Sequence, residues 1–387
     1  MAVIPCGSKY FLTVVILILT QEAIAQESDV IVSPSCSSQS FRTLSQTPSL
    51  TSSHLSLILL PGNHSINSRL SFVNKTAFSL EGVSEETTFV RCTINSVQND
   101  RSVNIQIQRS SRVSINKISF HGCNLSISDS NNINVSNTRF LNAYNCVLMV
   151  YNGFNITIDL SRFSNNYQVI GIHDGILDLR RSKNFAITRS NFTNNVVIPV
   201  YSAVISTEHS VGFISCCYIL NNTVMESYGG MVRIQDESLV FVTNSTFLNN
   251  NFLEFGSSVI LVFSSTASAT VISSIFRFNT ADRYGSAIRT HSTGNATVLA
   301  CEFSHNRAGR NGYSIKTFNY DSDILIGCSQ FHNNSNTDDT AYRDLDSNVQ
   351  VLSNNSIGCS RYAIGEAGVC ICPNCEGMYL HTLIRSY

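Results

Sequence analysis

Charge is scarce in this chain. Asp, Glu, Lys and Arg together make up 13% of its 387 residues, about half of the roughly 25% usual in globular domains. The 25 basic and 26 acidic side chains leave a net charge of -1, which excludes a basic field for nucleic acid or anionic lipid and a strong acidic field for cationic partners. Polarity comes instead from Asn, Ser and Thr. Long apolar runs are also missing. The run Phe11 to Leu19 is too short to span a bilayer, which takes about 20 residues as a helix, and no later stretch is long or apolar enough. No helical period of 3.6 runs through the chain. Nucleophile elbow, phosphate loop and H-E-x-x-H motifs are absent, and no cofactor or metal is expected.

The short apolar run follows Lys9 and ends at the small-residue exit Ala23-Ile24-Ala25, the form of a secretory signal peptide over residues 1–25. The mature chain is expected to begin near Gln26 outside the cell. Its last residues, His381 to Tyr387, lack the apolar tail of a lipid-anchor signal, so either free secretion or a sequence that is a fragment is expected, with no transmembrane segment apart from the signal peptide.

An aromatic followed three residues later by Asn recurs as Phe163/Asn166, Phe192/Asn195, Tyr218/Asn221, Phe247/Asn250, Phe276/Asn279, Phe303/Asn306 and Phe331/Asn334. The anchors are 29, 26, 29, 29, 27 and 28 residues apart, a period that denotes a solenoid. Five residues before each anchor stand Ile158, Ile187, Phe213, Val242, Val271, Val298 and Ile326; seven before stand Ile156, Phe185, Val211, Val240, Ala269, Ala296 and Ile324. Both columns are apolar throughout and share parity, which defines the inward face of a strand. Two before the anchor the residue is small: Ser161, Ser190, Cys216, Ser245, Ser274, Cys301 and Ser329. That change of parity marks a corner. A third apolar station, Val204, Val232, Val259, Ile288 and Ile315, lies twelve to fourteen residues after its anchors.

About three short strands per coil, with no room for a crossover helix, predict an all-β, single-stranded parallel β-helix. Stacked coils turn the aromatics into an internal ring stack and the asparagines into a hydrogen-bonded ladder. The ordinary reading of both columns is therefore structural. Irregular coils precede the clean ones, from Leu55 to Leu60 onward through Phe72, Phe78 and Val90. The predicted layout is a Ser/Thr-rich lead or cap over 26–54, the β-helix over 55–340 and a Cys-rich tail over 341–387.

The pairing of F-x-x-N with a degenerate G-G-A-[ILV], as in Gly229-Gly230-Met231-Val232 and Gly285-Ser286-Ala287-Ile288, resembles the repeat of chlamydial polymorphic membrane proteins. It is similar also to right-handed β-helix proteins of animals such as sponges, within the broad pectate-lyase-like class. The resemblance covers roughly residues 55–340. It implies a right-handed coil, in keeping with the preference of parallel connections, and either adhesion and surface display or polysaccharide cleavage.

Eleven N-x-[ST] sequons occur. Ten are expected to carry glycans: Asn63, Asn74, Asn124, Asn134, Asn155, Asn191, Asn244, Asn295, Asn333 and Asn354. Asn155, Asn191 and Asn295 are expected to face outward by their phase against the inward columns. The eleventh, Asn221, sits in the ladder and is expected to be buried and poorly modified. Outside the signal peptide there are twelve cysteines, an even number. In an oxidising compartment Cys36, Cys92, Cys123, Cys146, Cys359, Cys370, Cys372 and Cys375 are disulfide candidates, with pairings left open. Cys216 and Cys301 fall in the small inward column and are expected to be buried and reduced.

Catalysis in a β-helix would need two carboxylates for glycoside hydrolysis, or a base beside a cation for lyase chemistry. His173, Asp174 and Asp178 with Arg180, Arg181 and Lys183 form the densest ionisable segment; such runs are usually solvated faces. Asn336-Thr337-Asp338-Asp339 resembles the N-T-D element of polygalacturonases, but the later G-H-[DG] and R-I-K elements are missing. No residue is assigned as catalytic; Asp174, Asp178, Arg180, Asp338 and Asp339 are the ones to watch. The favoured expectation is an extracellular adhesion, matrix or glycan-binding protein whose partners are glycans or surface proteins. The alternative is a polysaccharide lyase or glycoside hydrolase.

Overall fold

The computed structural model describes residues 2–4, 28–32, 53–66, 69–92, 104–169, 175–198, 202–225, 229–253, 258–282, 287–309, 314–317, 323–336 and 349–351. The apolar run Phe11 to Leu19, most of 26–54 and the cysteines of the tail lie outside these residues. What is described is a right-handed parallel β-solenoid made of strands alone. Among the described residues no helix is long and apolar enough to cross a membrane.

Each strand pairs in parallel with its counterparts in the coils before and after, giving sheets of 14, 11, 10 and 7 strands, here sheets 1 to 4 in that order. One coil runs Lys183–Thr188 in sheet 1, Asn191–Thr193 in sheet 2, Val196–Val197 in sheet 4 and Ala203–Glu208 in sheet 3. Three strands per coil make sheets 1 to 3, and from Tyr167–Gln168 onward a short fourth strand lies between sheets 2 and 3. At the N-terminal edge Ser28–Val32 pairs with His54–Leu59, and Ala2–Ile4 pairs with Ser28–Val32.

Period-two alternation explains the core. In sheet 1, Ile156 and Ile158 stack under Phe185 and Ile187; all four are buried. In most coils of sheet 2 one ring points inward. Phe140, Phe163 and Phe192 stack with centroids 4.8 and 4.7 Å apart, and Phe247, Phe276, Phe303 and Phe331 continue at 4.9, 4.9 and 4.8 Å. These separations are the strand spacing itself, so parallel pairing enforces the stack. Each ring pair adds about 0.5–1.5 kcal/mol beyond its buried area.

Two polar ladders fix the corners. In the small column Ser161 N donates to Ser190 Oγ at 3.1 Å, and Cys217 N to Ser245 Oγ at 3.2 Å. At the next corner Asn195 Nδ2 donates to Asn222 Oδ1 at 2.9 Å and to Phe163 O at 3.0 Å. Its backbone N also donates to Asn222 Oδ1, and its own Oδ1 accepts from Asn166 N and Nδ2. Every polar atom of the buried amide is therefore used, which is what burial of an amide requires.

Toward the C-terminal end the ladder runs on in the predicted register. Asn250 Nδ2 donates to Asn279 Oδ1 at 3.0 Å, Asn279 Nδ2 to Asn306 Oδ1 at 3.0 Å, and Asn306 Nδ2 to Asn334 Oδ1 at 3.1 Å. Asn250, Asn279 and Asn306 are buried. Asn334 differs in being half-buried, although its Nδ2 still donates to Phe303 O at 3.0 Å. The residue before each ladder asparagine has positive φ, as at Asn165, Asn194, Asn221, Asn249, Phe278, His305 and Asn333. Asn tolerates that conformation better than most side chains, and it fills five of these seven positions.

One coil corrects the sequence-based register. From 211 to 222 every inward residue lies one position later than expected: Gly212, Ile214, Cys217, Ile219 and Asn222 replace Val211, Phe213, Cys216, Tyr218 and Asn221. Val211, Phe213 and Tyr218 are exposed instead. A one-residue slip turns every strand side chain to the other face, and a bulge between Lys183 and Phe185 supplies the slip. Glycine is required at 212, because a Cβ there would lie 2.4 Å from the Phe185 ring. Tyr218 outside leaves its hydroxyl in water, and Ile219 fills the core between Phe192 and Phe247. A second correction concerns sheet 3. Ile205 and Ile260 stand in register with Val232, Ile288 and Ile315 facing the core, whereas Val204 and Val259 are buried on the outer side.

Candidate functional site

Of the acids singled out in the sequence, Asp174, Asp338 and Asp339 lie outside the described residues. Asp178 and Arg180 belong to Gly175–Arg180 of sheet 3. Leu177 and Leu179 face the core, so Asp178 and Arg180 face outward. Asp178 is nonetheless wholly buried. Arg180 Nη2 lies 2.8 Å from Asp178 Oδ2, and its Nε lies 3.7 Å from Glu208 Oε2 on the next strand. Gln235 Nε2, one coil further, donates to Glu208 Oε2 at 3.1 Å.

Register extends this group into two outward columns. One holds Asp178, Ser206, Arg233, Leu261 and Arg289; the other holds Arg180, Glu208, Gln235, Phe263 and His291. The guanidinium of buried Arg233 lies 5.3 Å from the centre of the Phe263 ring, which stacks on His291 at 4.8 Å. Burial first, and the charge of Arg289 second, lower the pKa of His291. Glu208, Arg233 and Arg289 were not found in the sequence. Their signal is a polar residue on the outward parity of the strand, one step beyond Val232 and Ile288 and three beyond Ile205, and it emerges only when that column is placed in the correct register. At the following corner Glu208, His209 and Asp236 bring their ligating atoms within 4.8 Å of one another, an arrangement able to hold a cation.

The outer face of sheet 2 is different. Between coils it carries an open groove of about 740 Å³ lined by Arg162, Ser164, Asn165, Arg189, Asn191, Thr193, Asn194, Cys216, Tyr218, Leu220 and Asn221. Arg162 is exposed and Tyr218 is 52% exposed. Arg189 is tied by its Nε to Asp159 Oδ1 at 2.9 Å, and Thr188 Oγ1 donates to the same oxygen at 2.6 Å. Burial alone would raise the Asp159 carboxyl, but these hydrogen bonds and the charge of Arg189 outweigh it and hold the pKa below the ordinary value. Among the described residues no aspartate or glutamate lines the groove.

Among the sequons Asn63, Asn74, Asn134, Asn244, Asn295 and Asn333 are exposed, and Asn124, Asn155 and Asn191 are half-buried. Asn354 lies outside the described residues. Asn221 is exposed rather than buried, because Asn222 occupies the ladder. Cys92 and Cys123 form a disulfide with Cα atoms 5.0 Å apart. Cys146 is half-buried, and Cys36, Cys359, Cys370, Cys372 and Cys375 lie outside the described residues. Cys301 is buried and burial pushes its thiol up to about 12; Cys217, not Cys216, is its counterpart, also pushed up to about 12 by burial. Cys216 is exposed.

No protein-family model matches this chain, and no curated protein matches it. Several solved structures do. The catalytic domain of GH87 alpha-1,3-glucanase in complex with nigerose shares 10% identity at a TM-score of 0.40, over 86% of this chain and 69% of that one. The Streptococcus pneumoniae surface protein and adhesin PfbA shares 10% identity at a TM-score of 0.34, over 77% and 94%. The endo-xylogalacturonan hydrolase from Aspergillus tubingensis shares 12% identity at a TM-score of 0.35, over 78% and 96%. The likeness is one of fold.

Proposed function

We propose that this chain is a secreted, N-glycosylated β-helix with an extracellular adhesion or matrix role, and that it binds glycan along the outer face of sheet 2 without cleaving it. The layout of signal peptide, lead, β-helix and disulfide-bearing tail read from the sequence belongs to this proposal, as does the kinship of its repeat with the chlamydial and sponge-type proteins.

The lining of the sheet 2 groove carries the reading. Arginine, tyrosine, asparagine, serine and threonine side chains meet there, with no carboxylate among the described residues. An aromatic face and planar hydrogen-bonding groups suit a sugar, and Arg162 favours an acidic one. Hydrolysis of a glycoside needs two carboxylates, which this lining does not offer. The alternative, a polysaccharide lyase or hydrolase, rests on Asp178 and Glu208, which Arg180 bridges on neighbouring strands. Both are engaged in ion pairs and Asp178 is buried, so their role is assigned to structure.

The test is to incubate the secreted protein with a panel of acidic polysaccharides, with and without calcium. Retention without unsaturated products or new reducing ends supports binding. Product formation that Asp178→Asn abolishes would replace this proposal with the enzyme.

A further inference from the structure

The coil that departs from the expected register also exposes a sequon. Asn221-Asn222-Thr223 places two asparagines side by side with opposite fates. Asn222 is buried and its Nδ2 donates to Phe192 O at 2.9 Å and Asn250 Oδ1 at 3.1 Å. Asn221 precedes it at φ 54°, with its backbone N donating to Leu248 O at 3.0 Å and its side chain exposed on the other side of the turn. The same turn recurs with exposed Asn at 165, 194 and 249, but Tyr167, Val196 and Asn251 stand where a sequon needs its hydroxyl. Only Asn221, with Thr223, and Asn333, with Ser335, complete the sequon at this turn among the described coils. Asn221 alone of the two opens into the sheet 2 groove.

We infer that Asn221 carries an N-glycan whose first sugars lie over the Tyr218 end of the sheet 2 groove and restrict access there, two strands away from Arg162. The inference rests on the export proposed above. The modification forms a bond from Asn221 Nδ2 to C1 of the sugar as the C1–O bond to a lipid-linked pyrophosphate donor breaks. The pyrophosphate leaves with the electron pair, the amide loses one proton to it, and nothing is oxidised or reduced. Transfer at Asn222 would remove a donor from a saturated ladder, whereas transfer at Asn221 leaves every ladder bond in place. A sugar on Asn221 starts beside the exposed Tyr218 ring, whose face suits the apolar face of a pyranose. Cys216, exposed on the same wall of the groove, reports on what covers it.

The experiment uses the full chain secreted from eukaryotic cells. Glycans are released enzymatically in heavy-oxygen water, and converted asparagines are located by peptide mass spectrometry. Label at Asn221 as well as Asn333 is expected. Asn221→Gln and Thr223→Ala should each be secreted folded and lighter by one glycan. In both variants a bulky maleimide should alkylate Cys216 several-fold faster than in the parent protein. An unlabelled Asn221 in a chain labelled at Asn333 would overturn the inference alone. Equal alkylation of Cys216 in parent and variants would overturn the placement of the glycan over the groove. A secreted chain with no labelled sequon, or a chain that is not exported at all, would overturn both this inference and the export on which it rests.

Discussion

Sheets 2 and 3 run the length of the same solenoid and bury side chains in opposite ways. Sheet 2 keeps one inward aromatic in most coils and leaves its outer face open to solvent, with Arg162 and Tyr218 exposed in a groove. From Gly175–Arg180 to Ile288–His291 sheet 3 is closed on both faces: Ile205 and Val232 fill the core while Val204, Met231, Asp178, Arg233 and Arg289 are buried outside. The difference teaches where polarity serves structure and where it is available for recognition. Asp178, buried on sheet 3, is paired with Arg180, as a buried ion must be to remain there, so the charge of that pair is spent within it. The polar groups of the sheet 2 groove still face water.

The contrast breaks most sharply at its apolar extreme. Phe247→Ala should cost about 3–5 kcal/mol, measured by denaturant unfolding, because it removes a fully buried ring from a continuous stack. Tyr218→Ala, expected from the sequence to be equivalent, should change stability by no more than about 0.5 kcal/mol. On sheet 3, Asp178→Ala should cost about 3–5 kcal/mol by removing the buried partner of Arg180, and converting Asp178 and Arg180 together to leucines should recover much of that loss. Equal losses in the single and double variants would mean that the ion pair is not what holds this face.

The ladder sharpens the comparison at a smaller scale. Asn222→Ala leaves the Asn195 amide and backbone N–H without their acceptor, at about 1–3 kcal/mol for each group, while Asn221→Ala should cost only about 1 kcal/mol, for an alanine held at φ 54°. A small, pH-dependent effect belongs to the edge of the groove. The folded pKa of Asp159 lies below its ordinary value of 3.8, so the unfolded chain takes up the proton first. Its contribution is complete above that pH and is lost as pH falls through the folded pKa. Because Arg189 is 60% exposed, the difference from Asp159→Asn should be no more than about 1 kcal/mol at neutral pH and should vanish in acid.

Much of the fold was legible. The recurrence of Phe163, Phe192, Phe247, Phe276 and Phe303 with Asn166, Asn195, Asn250, Asn279 and Asn306 sets both period and core, because stacked coils demand like residues at like positions. Asn334 closes the same row with less cover, which the pattern alone does not distinguish from its neighbours. The coil at 211–222 was not legible in register, since Tyr218/Asn221 matches the aromatic rule while Ile219/Asn222 does not. What decides is the cost of a phenol inside and the room Gly212 makes for Phe185, and neither is a pattern in the sequence. Asp178 and Arg180 were visible as a charged segment. Glu208, which Arg180 contacts, and Arg233, further along the Asp178 column, were hidden because strands buried on both faces, such as Ile176-Leu177 or Val204-Ile205, lose the alternation that separates inside from outside.

The most direct test sets the two outer faces against each other. Parent protein, Arg162→Ala and Asp178→Asn are each titrated with an acidic oligosaccharide, and the same samples are assayed for unsaturated ends and new reducing ends. The account predicts binding by the parent, binding lost in Arg162→Ala and kept in folded Asp178→Asn, and no product from any of the three. Product from the parent that disappears in Asp178→Asn, with binding untouched by Arg162→Ala, would contradict it and move the site to sheet 3.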